Sequence, residues 1–171
     1  MQSRRQVKRT ANVEEASGRV GKAAKRRIVL ASGVFDLLHL GHVRFLEEAK
    51  KAGGPDAELV VIVARDITVE ERKGERPIVP ENQRCALVGS LRIVDEAMLG
   101  LEGFDLGRVL DMVKPDIVAL GYDQSGMEKT VRDYVKRHGL KIDVVRVGKF
   151  SLDELDSSSK IKQRIVEDFR R

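Results

Sequence analysis

IVLASGVFDLLHLGH, residues 28–42, runs from an apolar stretch into a turn that holds two glycines and two histidines. Ile28–Gly33 predicts a buried strand, and Gly41–Ala52, with Val43, Leu46 and Ala49 on one face, predicts a helix. In an open α/β sheet, ligands bind beyond the carboxyl ends of the strands, and Gly33–His42 lies at such an end. Gly33 lets the backbone approach a ligand closely, and Gly41 does the same where the helix starts. The free N–H groups and the positive dipole end of that helix favour phosphate. His39 and His42 stand three residues apart around the helix start, with Leu40 between them, and can aim imidazole N–H groups into one polyphosphate. Only three histidines occur in the chain, and two fall in this turn. A lone histidine here would read as a cap or as packing at the edge of the core. A pair with two glycines at a strand-to-helix turn reads as functional. Zinc takes three or four protein ligands, and no further His or Cys accompanies the pair, so no protein-held metal is expected.

Outward from this turn, apolar runs alternate with helical patterns. Glu58–Ala64 (ELVVIVA) is rich in β-branched residues without polar alternation, as expected of a central parallel strand. Asp66–Pro80, with Gly74, Pro77 and Pro80, reads as a polar loop. A helix is expected over Glu81–Leu91 and a short strand over Glu96–Leu99. Leu106–Val113 reads as a helix stopped before Pro115, Asp116–Leu120 as a strand, Met127–His138 as a helix and Lys141–Val147 as a strand. A last helix starts near Ser157. The expected fold is α/β, a single Rossmann-like domain with a mostly parallel five-stranded sheet and helices on both faces.

The 171 residues suit one domain. No apolar run approaches the roughly 18 residues needed to cross a bilayer, and no export signal opens the chain. Cys85 is the only cysteine, which leaves neither an internal disulfide nor a cysteine metal cluster. A cytoplasmic protein without a membrane partner is expected. Residues 1–27 hold nine Lys or Arg and two Glu, so the net +5 of the chain is a basic start on a remainder of −2. Residues 1–25 are expected to be a disordered basic extension of a domain over 26–171. A nucleic-acid arm is the alternative, but no aromatic side chain lies between the charges to stack on a base, so nucleic acid is not expected as a partner. A chain starting at Lys25 should keep its thermal midpoint and turnover. A large fall in the midpoint would show that the extension packs on the domain.

GVFDLLHLGH resembles the GxFDxxHxGH signature of the cytidylyltransferase-like nucleotidyltransferases, and its HxGH turn is similar to the HIGH motif of class I aminoacyl-tRNA synthetases. The resemblance implies the sheet expected above, and histidines that contact nucleotide phosphates and stabilise charge as pyrophosphate leaves. IVARDITVEERKGERPIVPENQR resembles the archaeal FAD synthases of that superfamily, as do VDEAMLG and KPDIVALGYDQ. SSSKI resembles the Ser/Thr motif that begins the superfamily's last helix. Glycerol-3-phosphate cytidylyltransferase shares the HxGH turn but differs in the KG–PI loop and the base-binding loop.

The resemblance implies transfer of AMP from ATP to FMN by in-line attack of the acceptor phosphate on the α-phosphorus. The small-molecule partners would be ATP and FMN, with a divalent cation, Mg²⁺, held mainly by substrate phosphates. His39, His42 and Arg84 are the implied catalytic residues, with Arg84 as a guanidinium clamp on phosphate. The nucleotide site would take in Gly33, Val34, Phe35, Asp36, Leu40 and Gly41, then Gly121, Asp123, Phe150 and Ser157–Ser159. Val34 stands where many relatives carry Thr. Phe150 stands where the archaeal enzymes carry Tyr, which keeps a stacking ring without its hydroxyl. Asp36 reads equally as a turn-stabilising carboxylate or a ligand contact, and Lys73 equally as a phosphate cover or an ordinary loop lysine. Arg44 replaces a Lys of the glycerol-phosphate enzymes as a phosphate or acceptor contact. Helix capping explains one of Ser157, Ser158 and Ser159, not all three. A cytidylyltransferase making a CDP-alcohol from CTP is the alternative enzyme, and a nucleotide- or RNA-binding protein is the alternative without turnover. The sequence leaves the oligomeric state open, a homodimer included.

Overall fold

A computed structural model describes residues 26–150 and 155–170. The 1–25 extension lies outside the described residues. Chain order is β1 (Ile28–Gly33), α1 (Leu40–Ala52), β2 (Glu58–Val63), α2 (Asp66–Lys73), α3 (Glu81–Gly89), β3 (Glu96–Leu99), α4 (Leu106–Val113), β4 (Ile117–Leu120), α5 (Ser125–Arg137), β5 (Asp143–Arg146) and α6 (Ser158–Phe169). The five strands form one sheet in the order β3-β2-β1-β4-β5, and every neighbouring pair is parallel.

Strand side chains alternate between two faces, so the core divides by parity. Val29, Ala31, Leu59, Val61, Val63, Ile117 and Ala119 point to one face and pack with Leu46 and Ala49 of α1 and Val88 of α3. Leu30, Val60, Ile62, Val118 and Leu120 point to the other and pack with Leu110 of α4 and Val131 of α5. Burial on both faces explains the unbroken apolar run of β2. The switch between faces falls at neighbours β1 and β4, the place where such sheets open a ligand crevice. Gly33 pairs with Val63, and Val63 with Leu99, so β1, β2 and β3 end level at its rim.

One expectation fails here. Asp66–Pro80 is not a continuous loop, because Asp66–Lys73 forms α2. Its signals are at its ends: Asp66 in the first turn, Arg72 and Lys73 in the last, and left-handed Gly74 (φ 75) donating its N–H to the Glu70 carbonyl. Only Val69 is buried, so the helix has almost no apolar periodicity to reveal it. Among the described residues, no helix is long and apolar enough to cross a membrane.

Candidate active site

The turn between β1 and α1 holds two non-glycine residues in the left-handed region, Phe35 (φ 54) and Leu37 (φ 46). β-Carbons resist that conformation, so surrounding contacts must enforce it. Phe35 is 3% exposed and its ring lies over Gly33, where an added Cβ would come within 2.9 Å of the ring. Gly33 therefore makes room for Phe35. Gly41 makes room in the same way for the backbone carbonyl of Asp156, which would meet a Cβ at 2.4 Å. Both glycines serve close approaches within the protein, whereas the sequence had offered ligand approach as the reason.

Asp36 fixes the turn to the rest of the site. Its carboxylate accepts the backbone N–H groups of Ile78 (3.0 Å) and Val79 (2.9 Å), and its carbonyl accepts the Ser158 hydroxyl at 2.6 Å. Lys162 of α6 lies 3.6 Å from the carboxylate. Burial pushes this carboxyl upward, but the N–H groups of Val79 and Ile78 and the charge of Lys162 more than offset it, and its pKa sits below the usual value. Of the two readings for Asp36, these bonds support the turn-stabilising one.

His39 and His42 stack face to face with centroids 3.7 Å apart, and Phe35 tilts against His42 at 5.2 Å. The Nδ1 atoms of both rings are buried without a hydrogen-bond partner, and both residues line the cavity. Burial drives the His42 pKa down to about 3, with the neighbouring His39 adding to the effect against a weaker pull from Asp36. Burial also lowers His39, against the charge of Asp156. Both rings are therefore neutral near pH 7 and act as hydrogen-bond donors or acceptors, not as cations. α1 carries no acidic residue in its first turn, so its positive end is left for an anion.

The depressed histidines also set a pH signature. Between about 3 and 6.5 the unfolded chain holds a proton on His42 that the folded chain lacks. Stability should fall as pH drops through that window. Thermal midpoints measured across it should show a shallower fall in His42→Ala; an unchanged slope would mean that His42 is not buried as a neutral ring.

A cavity of about 570 Å³ opens over the carboxyl ends of β1, β2 and β4, within the usual range of roughly 300–1,000 Å³ for small-molecule sites. It brings together Gly33, Val34, Phe35, Asp36, His39, Gly41, His42, Lys73, Gly121, Asp123, Phe150 and Ser157–Ser159. Leu40 and Arg44 are exposed and lie outside its lining, and Arg44 pairs with Glu47 at 3.0 Å. Ser157 caps α6 by accepting the Lys160 N–H, Ser158 is spent on Asp36, and Ser159 is exposed.

Arg84 is where the sequence reading departs most from the structure. It is 0% exposed. Its Nε donates to the Val79 carbonyl (2.8 Å), Nη1 to the Val34 carbonyl, and Nη2 to the Ala64 carbonyl (2.8 Å) and the Asp66 carboxylate (2.5 Å). Four of its five N–H donors are spent on the protein and it lies outside the cavity lining, a place that suits a structural tie and not the expected phosphate clamp. Arg84 instead ties the β1 turn to the end of β2, the start of α2 and the 77–80 loop. No sequence signal tells this from a ligand-facing arginine, since three of the four acceptors come from distant segments.

Two further residues escaped the sequence reading. Gln124 accepts the Gly121 N–H at 2.7 Å and donates to the Ser32 carbonyl at 3.2 Å, bridging β4 to β1 across the crevice. Lys162 lines the cavity between Asp36 and Glu75. It falls four residues after Ser158, on the same side of α6, and this spacing was the available clue. Among the described residues, no group of three or more His, Cys, Asp or Glu is placed to hold a metal. The carboxylates of Asp36 and Asp66 are already engaged.

Comparison with known proteins gives consistent matches. A model described as cytidylyltransferase-like matches residues 30–164. An FAD synthase of Methanothermobacter marburgensis is 48% identical over 144 residues, covering 84% of this chain and 88% of that one. An FAD synthase of Methanopyrus kandleri is 50% identical over 143 residues, covering 84% and 94%. A solved structure from Thermoplasma volcanium, described as a lipopolysaccharide core biosynthesis protein, superposes with a TM-score of 0.66 at 46% identity, over 73% of this chain and 98% of that one.

Proposed function

We propose, for a chain that belongs to the cytidylyltransferase-like family and within it to the FAD synthases, that it transfers AMP from ATP to FMN and releases pyrophosphate. The observation that carries the chemistry is the stacked histidine pair at the acid-free start of α1. A phosphate oxygen of FMN attacks the α-phosphorus of ATP, and the bond to the pyrophosphate oxygen breaks on the opposite side. The acceptor is already anionic at neutral pH, so no general base and no covalent enzyme intermediate are required. His39, His42 and the first N–H groups of α1 donate to the phosphate oxygens as charge moves onto pyrophosphate. Lys73 and Lys162, both on the cavity wall, supply positive charge from the rim. Mg²⁺ would be held mainly by the substrate phosphates and would neutralise part of their charge.

A single displacement inverts the α-phosphorus. One diastereomer of the α-thio analogue of ATP should therefore yield flavin dinucleotide of inverted configuration. Retention would reveal a covalent intermediate and overturn the mechanism.

A cytidylyltransferase is the second reading. It is favoured by the family description alone. Pyrophosphate release measured with FMN or glycerol 3-phosphate, each with ATP or CTP, separates the two. Release confined to ATP with FMN supports FAD synthesis. Release confined to CTP with glycerol 3-phosphate supports the second reading.

A further inference from the structure

Every other helix of the described residues buries at least one side chain, whereas α6 buries none. Among the described residues, neither half of the core takes a side chain from it. Its first turns are tied to the domain by polar contacts: Ser158 donates to the Asp36 carbonyl, and Lys162 lies 3.6 Å from the carboxylates of Asp36 and Glu75. From Gln163 to Phe169 every residue is exposed. That overhang is nevertheless apolar along one side. Ile161, Ile165 and Phe169 follow one another at intervals of four, which on a helix makes one stripe, and Val166 lies beside it. Phe169 is 89% exposed, and Ile165 and Val166 are nearly half exposed. Exposed Leu40 and Ile78 stand at the foot of the helix, because Gly41 abuts the Asp156 carbonyl and Asp36 holds the Ile78 N–H. A contiguous apolar face of this kind marks an interface.

We infer that the occupant of this face is a second copy of the chain, lying antiparallel along α6 about a twofold axis. Charge complementarity points to that partner. Arg164 and Asp168 run along one flank of the stripe, one turn apart. With Ile165 near the axis, Ile161 meets Phe169 of the partner subunit and Arg164 meets Asp168 of the partner subunit, and the symmetry repeats both contacts. Within one chain, Arg164 and Asp168 pair at 3.2 Å with both side chains more than half exposed, an arrangement worth little and free to re-form across the axis. The basic extension does not fit the face: residues 1–25 contain no Leu, Ile, Phe, Tyr or Trp, and they lead into the start of β1, at the far end of the sheet from Asp36 and Ser158. A standard interface takes roughly 20–30 residues a side, and this face offers fewer, so the pair should separate on dilution to about micromolar concentration. Ser158 and Lys162 of α6 both line the cavity, so pairing also steadies one wall of the site.

Light scattering on the full chain over a dilution series reads the mass directly. Two chains falling to one on dilution is the expected result. Phe169→Glu should give the mass of one chain at every concentration, with helix content unchanged because the side chain is exposed. R164D and D168R each set like charges against one another across the axis, and each should raise the dissociation constant at least about tenfold. An equimolar mixture of these two variants should pair again, since opposite charges then meet at both ends. Pyrophosphate release per chain should fall over the same dilution range, and a constant value would detach the pairing from the site. A chain that turns nothing over would remove the FAD synthase reading, while the masses would still decide this one. A wild-type monomer at all concentrations, a dimer indifferent to Phe169→Glu, or a mixture that fails to pair would overturn the inference. Binding of a monomer to anionic phospholipid vesicles, lost in Phe169→Glu, would overturn it in favour of a lipid surface.

Discussion

His42→Ala should lower kcat by 10²–10³-fold while changing the nucleotide KM little, since one donor to the developing charge in a closed site is worth roughly 2.7–4 kcal/mol. His42 is the more buried of the stacked pair and has the more strongly depressed pKa, so its loss removes a donor that water replaces poorly. His39→Ala should follow the same direction, with more of its effect in binding. His42→Asn keeps an N–H donor in nearly the same place and should recover part of the rate. Steady-state kinetics on folded variants decide the matter. Full activity in His42→Ala would show that the turn binds the nucleotide without stabilising the transition state.

Arg84→Ala should damage the fold more than the chemistry. Removing the guanidinium strands three carbonyls and takes a partner from the Asp66 carboxylate, which is a quarter exposed. Each buried acceptor left unpaired costs about 1–3 kcal/mol, and a loss of roughly 3–5 kcal/mol is expected for the set. For a domain of this size, that is a fall in thermal midpoint of roughly 6–20 °C. Arg84→Lys should recover little, because an ammonium cannot reach four acceptors spread over the plane of a guanidinium. Calorimetry separates this from the phosphate-clamp role implied by the sequence. A clamp would leave the midpoint unchanged and raise only the nucleotide KM.

The parallel sheet was legible because its signal is local and repeated. β2 shows an unbroken apolar run and α1 shows one apolar face, both of which follow from where each element is buried. The histidine turn was legible because rare residue types cluster at one strand end. What stayed hidden depends on residues far apart in the chain. Arg84 looks the same in sequence whether it faces phosphate or the Val34 carbonyl 50 residues away. Asp36 was open between two roles until the Ile78 and Val79 N–H groups were seen to fill its carboxylate. α2 was missed because it buries a single side chain. Gly33 and Gly41 were expected to admit a ligand, whereas the atoms that come close to them belong to Phe35 and Asp156.

Adenylyl transfer to a flavin is tested most directly by identifying the product. The full chain is incubated with Mg²⁺, FMN and ATP labelled at the α-phosphorus, in parallel with labelled CTP and glycerol 3-phosphate, and the products are resolved by chromatography. The expected result is label in FAD, formed only with ATP and strongly reduced in His42→Ala. Label in CDP-glycerol, with no labelled flavin under any reducing or metal condition, would contradict the account.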